Sequence, residues 1–235
     1  MLVIADIGGY TKFMKVHRVN LAHAQTIIAS LLEAVIDGAE PKLKLAKLEG
    51  DAAFFYAKIP DKQTDKDALA QFASIVTKIR MHFLDRQAEF ESDRLCNCDS
   101  CVQAAQLTLK FVAHVGEVAT QTIKQRRKLV GIDVILVHRL LKNPVEAPEY
   151  VLFTEELYRT DKAALPDAVH EVSQEVEGIG SVRAYFIEIE DLAGSLPPLP
   201  DPSWLGRVGR TLEVAGRGMP YMLGLSHRRR TASAY

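Results

Sequence analysis

The sequence predicts an α+β domain, on three observations. Short apolar runs bounded by glycine turns read as strands: residues 2–5 ahead of Gly8 and Gly9, and residues 43–57 folded back on themselves at Gly50 and Asp51. Two longer stretches, 24–37 and 67–90, carry apolar residues at helical spacing. Strands and helices alternate, but without the strict strand–helix–strand rhythm of a parallel sheet.

Taken in order, residues 2–5 form a buried strand that ends in an acid, Asp6. Gly8 and Gly9 break the backbone, and Thr11 caps a following helix. A carboxylate at the carboxyl end of a core strand is costly unless something pairs with it. A glycine turn and a helix start bring backbone N–H groups to the same spot, a combination that suits a divalent cation and a phosphate. A solvated turn acid is the other reading of Asp6.

Ala24, Ile27, Ile28, Leu31, Leu32 and Val35 make one helical face, with Gly38 as a stop and Pro41 opening the next strand. The 43–57 hairpin places Asp51 just after a tight turn. Two such acids on adjacent strands suit one or two hard cations such as Mg²⁺, which favour carboxylate oxygens and keep positions open for phosphates. A polar loop follows, and then Asp67 caps a helix to about Phe90 with Leu69, Phe72, Val76, Ile79 and Phe83 on its stripe. Residues 107–115 read as a core strand, 117–123 as its hairpin partner, and 124–128 as a basic tip. Residues 129–140 are rich in Val and Ile, so propensity alone favours a strand there. A short strand at 150–154, a short helix from Glu155 and a closing hairpin of 169–176 with 182–189 complete the domain.

Apolar content of 48%, charged content of 25% and a net charge of −1 describe a globular chain with a real core. That charge offers no whole-protein case for nucleic-acid binding. No apolar run approaches the ~20 residues needed to span a bilayer, and the 2–5 run is too short for a signal peptide. The expectation is a cytoplasmic protein, with a domain at 1–193, an extended linker at 194–203 holding four of the ten prolines, and a tail at 204–235. The tail carries six arginines against Glu213 alone. It is either a solvated segment docked by Trp204 or a contact for a protein or an acidic surface.

The three cysteines, Cys96, Cys98 and Cys101, all lie within an insert at 94–102. They form no disulfide framework. C-x-C-x-x-C spacing suits Zn²⁺, which needs a fourth ligand; His82, His114, Asp99 or a group from a second chain are the candidates. Three reduced thiols in a surface loop are the alternative.

Three blocks together resemble the class III nucleotidyl cyclases. They are Ala5-Asp6-Ile7-Gly8-Gly9-Tyr10-Thr11, then Lys47-Leu48-Glu49-Gly50-Asp51-Ala52, and then residues 109–118 followed by 131–140. The match runs from Leu2 to about Ile189, and is nearest to a branch of unknown function that carries the cysteine insert. The resemblance implies a ferredoxin-like core with a mostly antiparallel sheet, helices packed on one side, and a helix from Ile132 to Leu141. It implies a homodimer acting on a nucleoside triphosphate by intramolecular phosphoryl transfer with Mg²⁺ or Mn²⁺. Asp6 and Asp51 match the metal ligands, with the Ile7 carbonyl assisting. Lys47 matches a purine contact and Arg139 the arginine that stabilises transition-state charge.

Three positions depart from the pattern. Lys128 stands where many adenylyl cyclases have a purine-reading acid, leaving it a phosphate contact at most. Ile135 replaces an orienting asparagine, and Glu177 stands where a lysine holds the triphosphate. Loss of one orienting donor costs about 10²–10³ in rate. The resemblance therefore implies a cyclase-homology protein that binds a divalent metal, and a nucleotide or other phosphate, with weak or absent turnover. An active cyclase and a protein-interaction module are the alternatives.

Overall fold

The structure is a computed structural model that describes residues 1–16, 21–59, 68–92, 103–161 and 165–192. Seven strands make one sheet in the order β2-β3-β1-β4-β7-β9-β8. They are β1 (Leu2–Gly8), β2 (Lys44–Glu49), β3 (Ala52–Tyr56), β4 (Thr108–His114), β7 (Tyr150–Thr154), β8 (His170–Val176) and β9 (Gly180–Glu188). Every neighbouring pair is antiparallel except β4 with β7. Two further strands, β5 (Ala119–Ile123) and β6 (Arg126–Val130), form a separate two-stranded ribbon.

Period-2 alternation divides the core between the two faces of the sheet. Val3, Ala5 and Ile7 of β1 face one cluster, which includes Phe55, Phe111 and Phe153. That face is covered by α1 (Tyr10–Val16), α2 (Leu21–Ala39) and α3 (Ala68–Ser92), with the short α5 (Glu155–Tyr158) and α6 (Ile189–Leu192) at its margin. Leu2 and Ile4 face the other cluster, with Phe54, Val112 and Leu152; there Leu136, Val137 and Leu140 in and just after α4 (Ile132–Arg139) pack down on the strands. Asp6 follows Leu2 and Ile4 on this second, more thinly covered face.

The apolar stripes expected of the two long helices are buried: Ile27, Leu31 and Val35 of α2, and Leu69, Phe72, Val76, Ile79 and Phe83 of α3, are each 1% exposed or less. Gly38 does not end its helix. It lies inside α2 at the crossing with α3, where an added Cβ would sit 2.6 Å from the Ile79 Cα. The helix after β1 begins at Tyr10, so Thr11 lies within it and not at its cap. Pro41 follows a cis bond to Glu40 and precedes β2 by two residues.

The largest correction concerns residues 117–130. Residues 117–123 do not pair with β4. Instead β5 pairs with β6, with Ala119 opposite Val130 and Ile123 opposite Arg126, so most of the basic tip is itself a strand. Residues 132–139 are helical despite their Val and Ile, because a helix buries Leu136 and Val137 on the sheet, and packing overrides β propensity. Gly131 makes the entry, with φ of 149°, a conformation that side chains rarely adopt.

An inward ion pair sets the start of the central strands. Arg80 of α3 donates through Nε and Nη2 to Glu149 Oε2, at 3.1 and 3.0 Å, and Glu149 Oε1 accepts the Leu109 N–H at 3.1 Å. The same acid therefore ties α3, β4 and the residue before β7. This fixes the register in which Lys110 lies beside Tyr150. Gln87, buried on α3, donates to the carbonyls of Ala104 and Leu107 and pins the approach to β4.

Candidate functional site

The two sequence-predicted acids come together at one end of the sheet. Asp6 lies opposite Ala52 across the β1–β3 ladder, so Asp51, in the two-residue turn between β2 and β3, is next to it. The Ile7 N–H donates to the Asp51 carbonyl at 3.1 Å and holds the turn against β1. Gly50 makes this turn possible, with φ of 68°, in the left-handed region.

The electrostatics follow from that placement. Burial, and then repulsion by Asp51, raise the Asp6 carboxyl from its ordinary 3.8 to about 6, against the opposing pull of Lys110. Burial also raises Asp51, offset by a hydrogen bond from its own backbone. Two partly desolvated carboxylates of like charge suit a divalent cation. Among the described residues no third histidine, cysteine or acid completes a metal-binding group with them. The remaining ligands would be the Ile7 carbonyl, water and oxygens of the bound ligand.

Lys110 is a residue that sequence reasoning missed. It lies directly opposite Asp6 in the β1–β4 register, and its Nζ is 5.5 Å from the centroid of the Tyr150 ring. Tyr150 in turn shares a hydrogen-bond pair with Asn143, its Oη lying 2.9 Å from Nδ2 and 3.1 Å from Oδ1. Burial raises the Tyr150 phenol, with Asn143 opposing and Asp6 adding to it. The available signal was a lone charge inside an otherwise apolar strand.

The other candidates are more scattered. Lys47 is exposed, and its Nζ donates to Glu49 Oε1 at 2.8 Å instead of pointing free. Lys128 lies on the ribbon opposite Gln121 and is exposed. Arg139, at the end of α4, has Nη2 3.8 Å from Glu177 Oε2, while its Nη1 is buried with no hydrogen-bond partner. The acid that replaces the expected triphosphate lysine thus faces the expected transition-state arginine. Ile135 is 48% exposed on the same helix. His82 is half-buried on α3; Cys96, Cys98, Cys101 and Asp99 lie outside the described residues, as do the linker and tail.

His114 is not near the acid pair. It ends β4 beside Leu2, the opposite end of β1 from Asp6. There its Nδ1 is 2.8 Å from Thr154 Oγ1, and its Nε2 is 3.3 Å from Asp133 Oδ1 but out of line for a hydrogen bond. A cleft of about 210 Å³ opens beside the acid turn, between Tyr10 and Met14 of α1, Ile28 and Leu32 of α2, and Gly50.

Comparison with known proteins agrees with this architecture. Solved structures similar to this one include the adenylyl cyclase CyaB from P. aeruginosa, which is 19% identical with a TM-score of 0.58 over 79% of this chain and 91% of that one. The guanylyl cyclase Cya2 is 15% identical with a TM-score of 0.58, over 79% and 89%. The guanylate cyclase domain of RhGC from Catenaria anguillulae, solved in complex with GTP, is 15% identical with a TM-score of 0.55, over 79% and 93%. At such identities the likeness is one of fold: this is the class III nucleotidyl cyclase fold. Among the described residues no helix is long and apolar enough to cross a membrane. An uncharacterized protein of Mycobacterium tuberculosis, Rv2561/Rv2562, is 40% identical over 199 residues, 84% of this chain and 89% of that protein. The family model of a protein of unknown function, DUF2652, matches residues 28–150. The chain belongs to the DUF2652 family, and it carries that sequence on a nucleotidyl cyclase fold.

Proposed function

We propose that this protein binds a divalent cation, Mg²⁺ or Mn²⁺, at Asp6 and Asp51 together with a phosphate-bearing ligand, and that it turns over nucleoside triphosphate weakly or not at all. The observation that carries the reading is the meeting of two partly buried acids on adjacent strands, with the Asp6 carboxyl raised to about 6 by burial and by Asp51. Such a pair is unfavourable unless a cation relieves it. A cation held there supplies positive charge to phosphate oxygens. Lys110, across the ladder from Asp6, adds a fixed positive charge on the same face. It orients an anionic ligand without needing a second metal ion.

The nucleotide half of the site argues against turnover. Ile135 has no group to orient a ribose or phosphate. Glu177 offers repulsion where a triphosphate needs a cation, and it faces Arg139. Lys47 is paired with Glu49. The 210 Å³ cleft is lined by α1 and α2, on the face of the sheet opposite the Asp6 side chain, so a nucleoside held at the acid pair would need a wall from elsewhere. A second copy of the chain is the natural source, since Ile132 and Ile135 on the thinly covered face are 57% and 48% exposed. The proposal therefore includes a homodimer closed through that face, with a regulatory role for the bound state.

The test is Mn²⁺ binding, followed through the paramagnetic relaxation of water protons, in wild type, Asp6→Asn and Asp51→Asn. Each substitution should abolish binding. A parallel assay for cyclic nucleotide from ATP and GTP should stay near background. Robust Mn²⁺-dependent turnover that is lost in Arg139→Ala would reverse the turnover claim and establish an active cyclase. Wild type with no Mn²⁺ response would remove the metal reading and leave an interaction module.

A further inference from the structure

The ribbon of β5 and β6 is the part of the molecule that the core explains least. It stands apart from the seven-stranded sheet, and residues 116–128 are exposed without a break. A two-stranded hairpin with no buried face is only marginally stable in water, so it gains from any surface that covers it.

The chemistry of the ribbon is one-sided. Residues 118–130 hold four basic residues, Lys124, Arg126, Arg127 and Lys128, and no acid. Among the described residues none of the four is in an ion pair, whereas Lys47, Arg86, Arg159 and Arg183 elsewhere on the surface each meet a carboxylate. Cross-strand pairing sets Ile123 beside Arg126 and Gln121 beside Lys128 on one side of the ribbon, with Thr122 beside Arg127 on the other. Ile123 is 49% exposed, an apolar side chain at the far end of the ribbon among positive charges. Lys124, in the two-residue turn, has φ of 54°, in the left-handed region where hairpin turns favour Gly, Asn or Asp. A lysine there sets a charge at the outermost point against the preference of the backbone.

We propose that the tip of this ribbon, residues 121–128, docks on an anionic lipid surface, its basic side chains meeting the headgroups and Ile123 entering the boundary with the acyl chains. Closely spaced like charges repel one another, and a layer of negative headgroups relieves all four together. Ile123 gains from the apolar layer just beneath. A nucleic acid offers no such layer at its phosphates, and the ribbon has no aromatic side chain on which a base stacks. An acidic protein partner needs about 20–30 residues a side for a standard interface, far more than the tip presents. The proposal is independent of the metal site, and it leaves Ile132 and Ile135 to the second copy of the chain.

Sedimentation of the full chain with lipid vesicles tests it. The protein should bind vesicles of phosphatidylcholine mixed with phosphatidylserine, ignore those of phosphatidylcholine alone, and be released by raised salt. Lys124→Gly removes a charge while easing the turn, so the ribbon is kept and affinity should fall about fivefold; Arg126→Gln with Arg127→Gln should lower it roughly 25-fold. Ile123→Ser should weaken binding and leave its salt dependence unchanged. Circular dichroism checks that each variant is folded. No binding to the mixed vesicles, or binding that these changes leave alone, overturns the inference. So does binding that is lost instead when Arg228, Arg229 and Arg230 of the tail are changed to glutamine, which would place the contact there. Tighter binding to duplex DNA than to the mixed vesicles would make the ribbon a nucleic-acid contact. A ribbon variant that changes the oligomeric state in light scattering would make it a subunit contact; either result refutes the lipid assignment.

Discussion

Replacing Asp6 by asparagine removes one charge with little change of shape, and the fold should become more stable without metal. The folded protein holds the Asp6 proton more tightly than an unfolded chain does, about 6 against 3.8. Its stability therefore falls as pH rises through that interval and is level above it. At 1.36 kcal/mol per pH unit the interval corresponds to a ceiling of about 3 kcal/mol. Asp6 is only half-buried, so solvent screening reduces this to on the order of 1–2 kcal/mol. Asp6→Asn should gain that amount over wild type at pH 7.5, gain nothing at pH 3.5, and lose the slope between. Urea unfolding at a series of pH values in chelator measures it. Excess Mn²⁺ should reverse the order, since 100-fold excess over Kd stabilises wild type by about 2.7 kcal/mol and leaves the variant unmoved. A variant that is less stable than wild type at pH 7.5 in chelator would falsify the argument, because it would show Asp6 to be held by favourable contacts, Lys110 first among them.

Three other expectations concern the helix crossing, the buried ion pair and the cysteine insert. Gly38→Ala should destabilise by about 1–3 kcal/mol in urea, because the new Cβ meets the Ile79 backbone; a gain of about 0.5–1 kcal/mol, the helix-propensity effect, would show that α2 and α3 move apart freely. Arg80→Met leaves Glu149 charged and mostly buried, so unfolding should come about 2–4 kcal/mol more easily. An unchanged midpoint would show that the pair does not set the β4–β7 register. For the cysteine insert, elemental analysis of untagged protein should find about one zinc per chain or per shared site, and three freely titrating thiols in native protein would refute it.

Much of this architecture was legible because local pattern and packing agree in it. The α2 and α3 stripes, the β1 and β3 strands and the Gly50–Asp51 turn follow from period and turn chemistry alone. Residues 117–130 were misread because alternation shows that a segment is extended, not which strand it pairs with. All five residues of β5 are exposed, so no buried face sets its partner. Residues 132–139 needed the family resemblance to be read as a helix, since their Val and Ile content points the other way. Within the site, the acids were visible because each lies beside a glycine turn, Asp6 two residues before Gly8 and Asp51 directly after Gly50. Lys110 was not assigned, because its role arises from its place opposite Asp6 in the β1–β4 register.

Charge bears on which ligand the site can hold. Asp6 and Asp51 together outweigh Lys110 by one negative charge, and Arg139 is set against Glu177. One bound divalent cation turns that excess to a single positive charge. A monophosphate, with charge near −2, then leaves a residue of about −1, whereas a triphosphate leaves a much larger uncompensated charge in a partly buried place. Active phosphoryl-transfer sites meet that charge with further cations and donors aimed at the phosphates. Here the position that would supply one holds Glu177, and the position that would orient the sugar holds Ile135. On the proposed reading, a cation at the two acids together with Lys110 would hold a small phosphate, while Ile135 and Glu177 would withhold what a triphosphate needs to react.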